Sequence, residues 1–134
     1  MKGQLTLEML VVGALALALL LIAASAVSKI QYAEAMMFER KILQEELHYM
    51  AEYADEICIL GAGNARTVPL SNTPLNIDAS ENKKMLIVKL GEWHAVEETA
   101  CEIKIIENVP FQNTAYLWYE ENEDKVILSS EPKT

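Results

Sequence analysis

Residues 9–27, MLVVGALALALLLIAASAV, run without a charge and with a single hydroxyl. From Met9 to Ser28 a helix would span about 30 Å, the thickness of a bilayer's hydrocarbon. Backbone in hydrocarbon must bond to itself, so the segment predicts a helix, and its Leu, Ala and Met suit that state. After Ser28 the chain turns polar, but the helical pattern persists. No Pro or Gly lies between Gly13 and Gly61, and 29–60 is rich in Ala, Glu, Leu, Met, Lys and Gln. Met36, Leu43, Met50 and Ile57 recur at spacing seven with Ala33, Leu47 and Ala54 interleaved, and Arg40 interrupts the stripe. Steps of three and four keep these positions on one helix face, with Glu34, Lys41, Glu45, Glu52 and Asp55 away from it. Gly61 and Gly63 supply the helix end. The predicted helix runs from about Gln4 to Leu60, about 85 Å, far more than a membrane span. Its outer half needs a surface to lie on. The spacing also fits a coiled coil, but four repeats broken by Arg40 make a sheet the better surface.

Residues 61–82, GAGNARTVPLSNTPLNIDASEN, predict a connecting loop with a strand near Thr67–Leu70. Further strands are expected at Lys84–Leu90, at Glu97–Val109, at Thr114–Tyr119 and at Asp124–Ser130. In Glu97–Val109, Thr99, Cys101, Ile103 and Ile105 would share one face. The last two strands would pair through Glu120–Glu123, and the final PKT should be frayed. The order describes an antiparallel meander. The expected fold is therefore α+β: a long N-terminal helix, its outer half amphipathic, packed on a small antiparallel β-sheet.

Length and charge narrow the function. At 134 residues the chain is about one domain, and after the apolar run only a modest core remains. The net charge is −9, and all of the imbalance lies after Ser28, since only Lys2 and Glu8 carry charge before it. An acidic body with two isolated basic doublets, Arg40–Lys41 and Lys83–Lys84, argues against nucleic acid as a partner. Catalytic signatures are missing: there is no H-E-x-x-H, no G-x-S-x-G and no glycine-rich phosphate loop. GAGN at 61–64 follows a helix and reads as a helix cap. No enzyme activity, cofactor or metal is expected. His48, with Glu45 and Glu52 nearby, has the E-x-x-H spacing of di-metal bundles but not their enclosing helices, and reads as a solvated ion pair. His94 is placed in a turn between strands, and Trp118 and Tyr119 read as core or subunit contacts. Cys58 falls on the last helical turn and Cys101 in a strand. They would form a disulfide outside the cell if those faces meet, or else two separate buried thiols.

Three readings fit the start of the chain. Lys2, the apolar run and Ala24-Ser25-Ala26 suit a cleaved secretory signal. The run alone suits a single-pass anchor, which Lys2 on one side and Lys29, Arg40 and Lys41 on the other orient poorly. The third reading turns on Glu8, which either snorkels to the headgroups or needs a cationic partner. No Lys or Arg lies between Lys2 and Lys29. A cut after Gly3 would create an ammonium on Gln4, about 6 Å along the helix from Glu8.

MKGQLTLEMLVV resembles the processing site of archaeal class III signal peptides, found on type IV pilin-like proteins. Gly3 and Gln4 match the cut site, Thr6 holds the small hydroxyl position, and Glu8 becomes the fifth residue of the mature chain. The resemblance covers residues 2 to about 28, and nothing in 61–134 is diagnostic of it. It implies a three-residue leader (1–3), a transmembrane and assembly half of the helix (4–28), an amphipathic half (29–60) and an extracellular β-rich body (61–134). It also implies a structural subunit of a surface filament used in adhesion. The partners would be a prepilin-type signal peptidase, a membrane assembly platform, the lipid bilayer before assembly, and other copies or related pilins. The chain would sit in the cytoplasmic membrane with its body outside, then in a cell-surface filament, with Glu8 neutralising the amino terminus of a neighbour. The alternatives are a minor pilin or a membrane-anchored envelope protein that binds another protein and never polymerises.

Overall fold

A computed structural model describes residues 2–79, 84–106 and 110–133, and for Lys2 the backbone only. Met1, Lys83, Thr134, the end of the expected 61–82 loop (80–82) and the last three positions of the expected Glu97–Val109 strand lie outside the described residues. The chain divides into two compact units, Met1–Glu39 and Arg40–Thr134.

One helix, α1 (Lys2–Leu60, 59 residues), runs through both units. It stops at Gly61, whose φ of 74° is the left-handed conformation that closes helices. The Gly61 N–H donates to the Ile57 carbonyl at 2.9 Å. Asn64 completes the cap, its side-chain amide donating to the carbonyls of Leu60 at 3.1 Å and Gly61 at 3.0 Å.

In the second unit the helix is followed by seven strands: β1 (Ala65–Pro69), β2 (Asn76–Ala79), β3 (Met85–Leu90), β4 (Trp93–Glu98), β5 (Ile103–Ile105), β6 (Thr114–Glu120) and β7 (Lys125–Ser129). They form a four-stranded sheet in the order β1-β6-β7-β5 and a three-stranded sheet β2-β3-β4. The α+β layout and the β3, β6 and β7 regions agree with expectation, including the β6–β7 pairing with Glu120 opposite Lys125.

Four expectations need correction. The single antiparallel meander is two sheets, and β5 runs parallel to β7 with Ile103 opposite Val126. The expected Glu97–Val109 strand is broken. Its first residues belong to β4, and pairing resumes only at Ile103. Between them the buried Thr99 donates its hydroxyl to the Cys101 carbonyl at 2.8 Å, a local bond that competes with the ladder. The stretch from Trp93, read as a turn with His94 in it, is β4 itself. Leu90 pairs with Trp93 across a two-residue loop whose first residue, Gly91, has a φ of 60°. A glycine there permits a tight hairpin, so the chain reverses at once. β2 also lies inside the expected loop, with Ile77 opposite Val88.

The helix buries one stripe in this unit: Leu43, Leu47, Met50, Ala51, Ala54 and Ile57. Alternate residues of the strands meet it, among them Leu86 and Val88 of β3, Ala115 and Leu117 of β6, and Val126 and Leu128 of β7. The expected stripe thus enters the core only from Leu43, for Met36 is half-buried and Ala33 exposed. Arg40, which interrupts the stripe, lies 5.9 Å over the Trp93 ring and keeps its charge at the edge of the core. On the opposite face of the four-stranded sheet, Trp118 is only 7% exposed. Lys133 stands 5.9 Å over its ring and 3.5 Å from Glu120, so the expected frayed end is held at Lys133.

Candidate functional site

The sequence places its candidate chemistry in the first turns of α1. Gly3, Gln4, Thr6 and Glu8 are all helical and exposed, as is every residue from Gly3 to Val27. The helix holds an 18-residue window of mean hydropathy 2.8, none of it buried, and is long and apolar enough to cross a membrane. An exposed apolar surface of this size marks a site of contact with a membrane or with another protein. The three hydroxyls of residues 3–28 are turned inward on the backbone. Thr6 donates to the Gly3 carbonyl at 2.9 Å, Ser25 to the Ile22 carbonyl at 2.8 Å, and Ser28 to the Ala24 carbonyl at 3.0 Å. Such bonds satisfy a hydroxyl where water is absent.

Thr6 and Gly3 are therefore joined directly. Gln4 and Glu8 stand at i and i+4, a spacing that puts them on the same side of the helix. Among the described residues Glu8 has no ion-pair partner, and it is the one charged residue between Lys2 and Lys29.

The cysteines do meet. The sulfurs of Cys58 and Cys101 stand at bonding distance, with their Cα atoms 5.9 Å apart. Beside them the Asp55 carboxylate accepts from the Ala100 N–H at 2.7 Å. The last helical turn thus grips the β4–β5 connection twice. Cys101 lies in that connection and not within a strand as expected. Asp55 lies away from the apolar stripe, and nothing in the helix pattern marks it as a clamp. Glu46 is similar: one of its carboxylate oxygens accepts from the Ser71 N–H at 2.5 Å.

His48 lies beside a shallow cleft lined by Lys41, Gln44, Glu45, His48 and Glu97. Its two ring nitrogens are each 3.5 Å from a carboxylate oxygen, one of Glu52 and one of Glu97. Glu45 pairs instead with Lys41 at 4.0 Å. The partner missed from sequence is Glu97, since β4 was not recognised. His94 is exposed on β4. Among the described residues no group of three His, Cys, Asp or Glu side chains is placed to hold a metal ion.

The surface of the body is tied by exposed ion pairs. Arg66 of β1 binds Glu56 of the helix at 2.5 Å, and this bond holds the Glu56 carboxyl below its ordinary range and raises Arg66. Lys104 of β5 binds Glu123 at 2.7 Å and lowers it in the same way. The Tyr119 hydroxyl bonds the Asp124 carboxylate across the β6–β7 turn, which pushes the phenol up. These pairs fasten the body. Compared with models of known families, with curated proteins and with solved structures, the chain matches none.

Proposed function

We propose that this chain is a structural subunit of a type IV pilus-like surface filament. In this reading it is made as a precursor, cut between Gly3 and Gln4 by a prepilin-type peptidase, and assembled through the apolar part of α1. Residues 5–27 first lie in the membrane, which leaves the acidic body outside, and later pack against the same segment of neighbouring copies. The observation that carries the reading is the lone carboxylate at the head of a fully exposed apolar helix. Glu8 there has no cation among the described residues, and a cut at Gly3–Gln4 supplies one on a neighbour. Apolar helices in lipid gain little from pairing with each other, so one polar contact can set the stagger between them.

The test is Glu8→Ala expressed in place of the native chain. Removing one partner of a buried pair leaves the other uncompensated and typically costs several kcal/mol. The variant should remain in the membrane fraction while filament yield falls by about tenfold or more. Filaments at the native level would remove Glu8 from assembly.

A second reading keeps the same membrane segment without polymerisation: a minor pilin, or an anchored protein whose body binds another protein outside. It is supported by the body's own closed core, which needs no neighbouring subunit to bury the helix stripe. Imaging of cell surfaces separates the two, because the second reading gives a membrane-bound protein and no filament containing it.

A further inference from the structure

Of the three hydroxyls that turn back on the helix, only one reaches the carbonyl of a bond that the proposed processing would break. The Thr6 hydroxyl donates to the oxygen of Gly3 at 2.9 Å, and Gly3 supplies the carbonyl of the Gly3–Gln4 peptide. Resting on the processing reading above, we propose that Thr6 is a positioning residue for that cleavage. It keeps the Gly3 carbonyl hydrogen-bonded while the first turn of the helix opens to the peptidase.

The physical problem is the cost of opening. In an α-helix the Gly3 carbonyl is tied to the backbone N–H of Leu7, and a peptidase cannot attack a carbonyl held in that ladder. Releasing it at the edge of an apolar phase exposes a bare carbonyl, which is costly where water is scarce. A threonine hydroxyl three residues on is a second donor, already in place, that can hold the oxygen when the N–H lets go. Such back-bonding also loosens and bends the helix locally. Glycine at position 3 acts in the same direction. A Cβ built there would meet nothing within 4 Å, so no packing demands glycine. Glycine is a poor helix former, since it gives up more backbone freedom than other residues. Gly3 and Thr6 together make the first turn the weak turn of a long helix.

The chemistry balances with water as the only co-reactant. Water adds to the Gly3 carbonyl carbon, and the oxygen that gains negative charge is the one the Thr6 hydroxyl already faces. The C–N bond then breaks, the leader leaves with Gly3 as a carboxylate, and the Gln4 nitrogen gains both protons of the water and becomes the ammonium of the new amino terminus. The acid and base groups belong to the peptidase. Thr6 contributes the donor.

The test compares the full-length chain with Thr6→Val and Thr6→Ser in membranes containing the peptidase, following conversion to the form three residues shorter. Valine keeps the branched shape and removes the donor, and serine keeps the donor. Thr6→Val should be cut about two- to tenfold more slowly, the worth of one net hydrogen bond. The loss should fall on kcat with KM little changed, and Thr6→Ser should cut at nearly the native rate. Equal membrane insertion of all three chains keeps the comparison to the cleavage step. If the native chain is cut and Thr6→Val is cut equally fast, the role of Thr6 is overturned and the processing reading stands. A slow Thr6→Val whose loss lies in KM, or a Thr6→Ser as slow as valine, also overturns it. A native chain that is never cut overturns both.

Discussion

Opening the link between Cys58 and Cys101 gives a loss that can be worked from the structure. The two residues are 43 positions apart. Closing a loop of that length removes enough freedom from the unfolded chain to stabilise the fold by about 4 kcal/mol at 25 °C in the chain-entropy treatment. The double variant Cys58→Ala, Cys101→Ala keeps the hydrogen bond from the Ala100 N–H to Asp55 at 2.7 Å and the helix cap at Gly61. The native contacts therefore survive, and the loss falls on the unfolded state. Urea unfolding of the full chain in mild detergent, read by the fluorescence of Trp93 and Trp118, measures the body alone because both tryptophans lie in it. With a urea slope of about 2 kcal/mol/M the midpoint should fall by about 2 M. Native protein treated with a thiol reductant should match the variant. A shift below about 0.5 M would refute the reasoning, since the link would then not be restraining the chain that unfolds.

Gly61→Ala should destabilise the body by about 1–2 kcal/mol, because an L side chain is placed at a φ of 74°; the same unfolding assay checks it. The ion pairs predict the acid limb. Glu56 and Glu123 sit below the ordinary value of 4.5 in the fold, so the stability they add is present above that pH and is lost as pH falls through their lower folded values. Unfolding at pH 5 and at pH 3 should show this loss, and Glu56→Gln should reduce it. Because both pairs are exposed the effect is small, and raising the salt should shrink it further.

Much of the helix was legible because its signals are local and agree. An uncharged run, an unbroken stretch from Gly13 to Gly61, and a three-and-four stripe all point to one element. Leu43, Leu47, Met50, Ala54 and Ile57 accordingly lie in the core. The sheet was less legible because its partners are distant in sequence. β2 has four residues, and β5 has three whose neighbour, β7, lies more than twenty positions away. A parallel partner leaves no turn signature next to it. The hairpin at Gly91 did leave one, since alternation of Trp93 and Ala95 inward with His94 and Val96 outward is the period-two pattern of a strand. The cysteine pair could be proposed as a conditional only, because it depends on which faces meet. The clamp by Asp55 had no sequence signal at all. In the candidate site, Gly3, Gln4, Thr6 and Glu8 were legible as a motif, while the hydrogen bond from Thr6 to Gly3 became visible only once the first turn was built.

The amino terminus of the chain isolated from its own cell membranes decides between the readings of its first residues. Mass analysis of the N-terminal peptide should show a chain that begins at Gln4 and lacks Met1 to Gly3. A peptide that still carries Met1, or one that begins near Val27, contradicts the proposed cut, and with it the ammonium that Glu8 is proposed to meet.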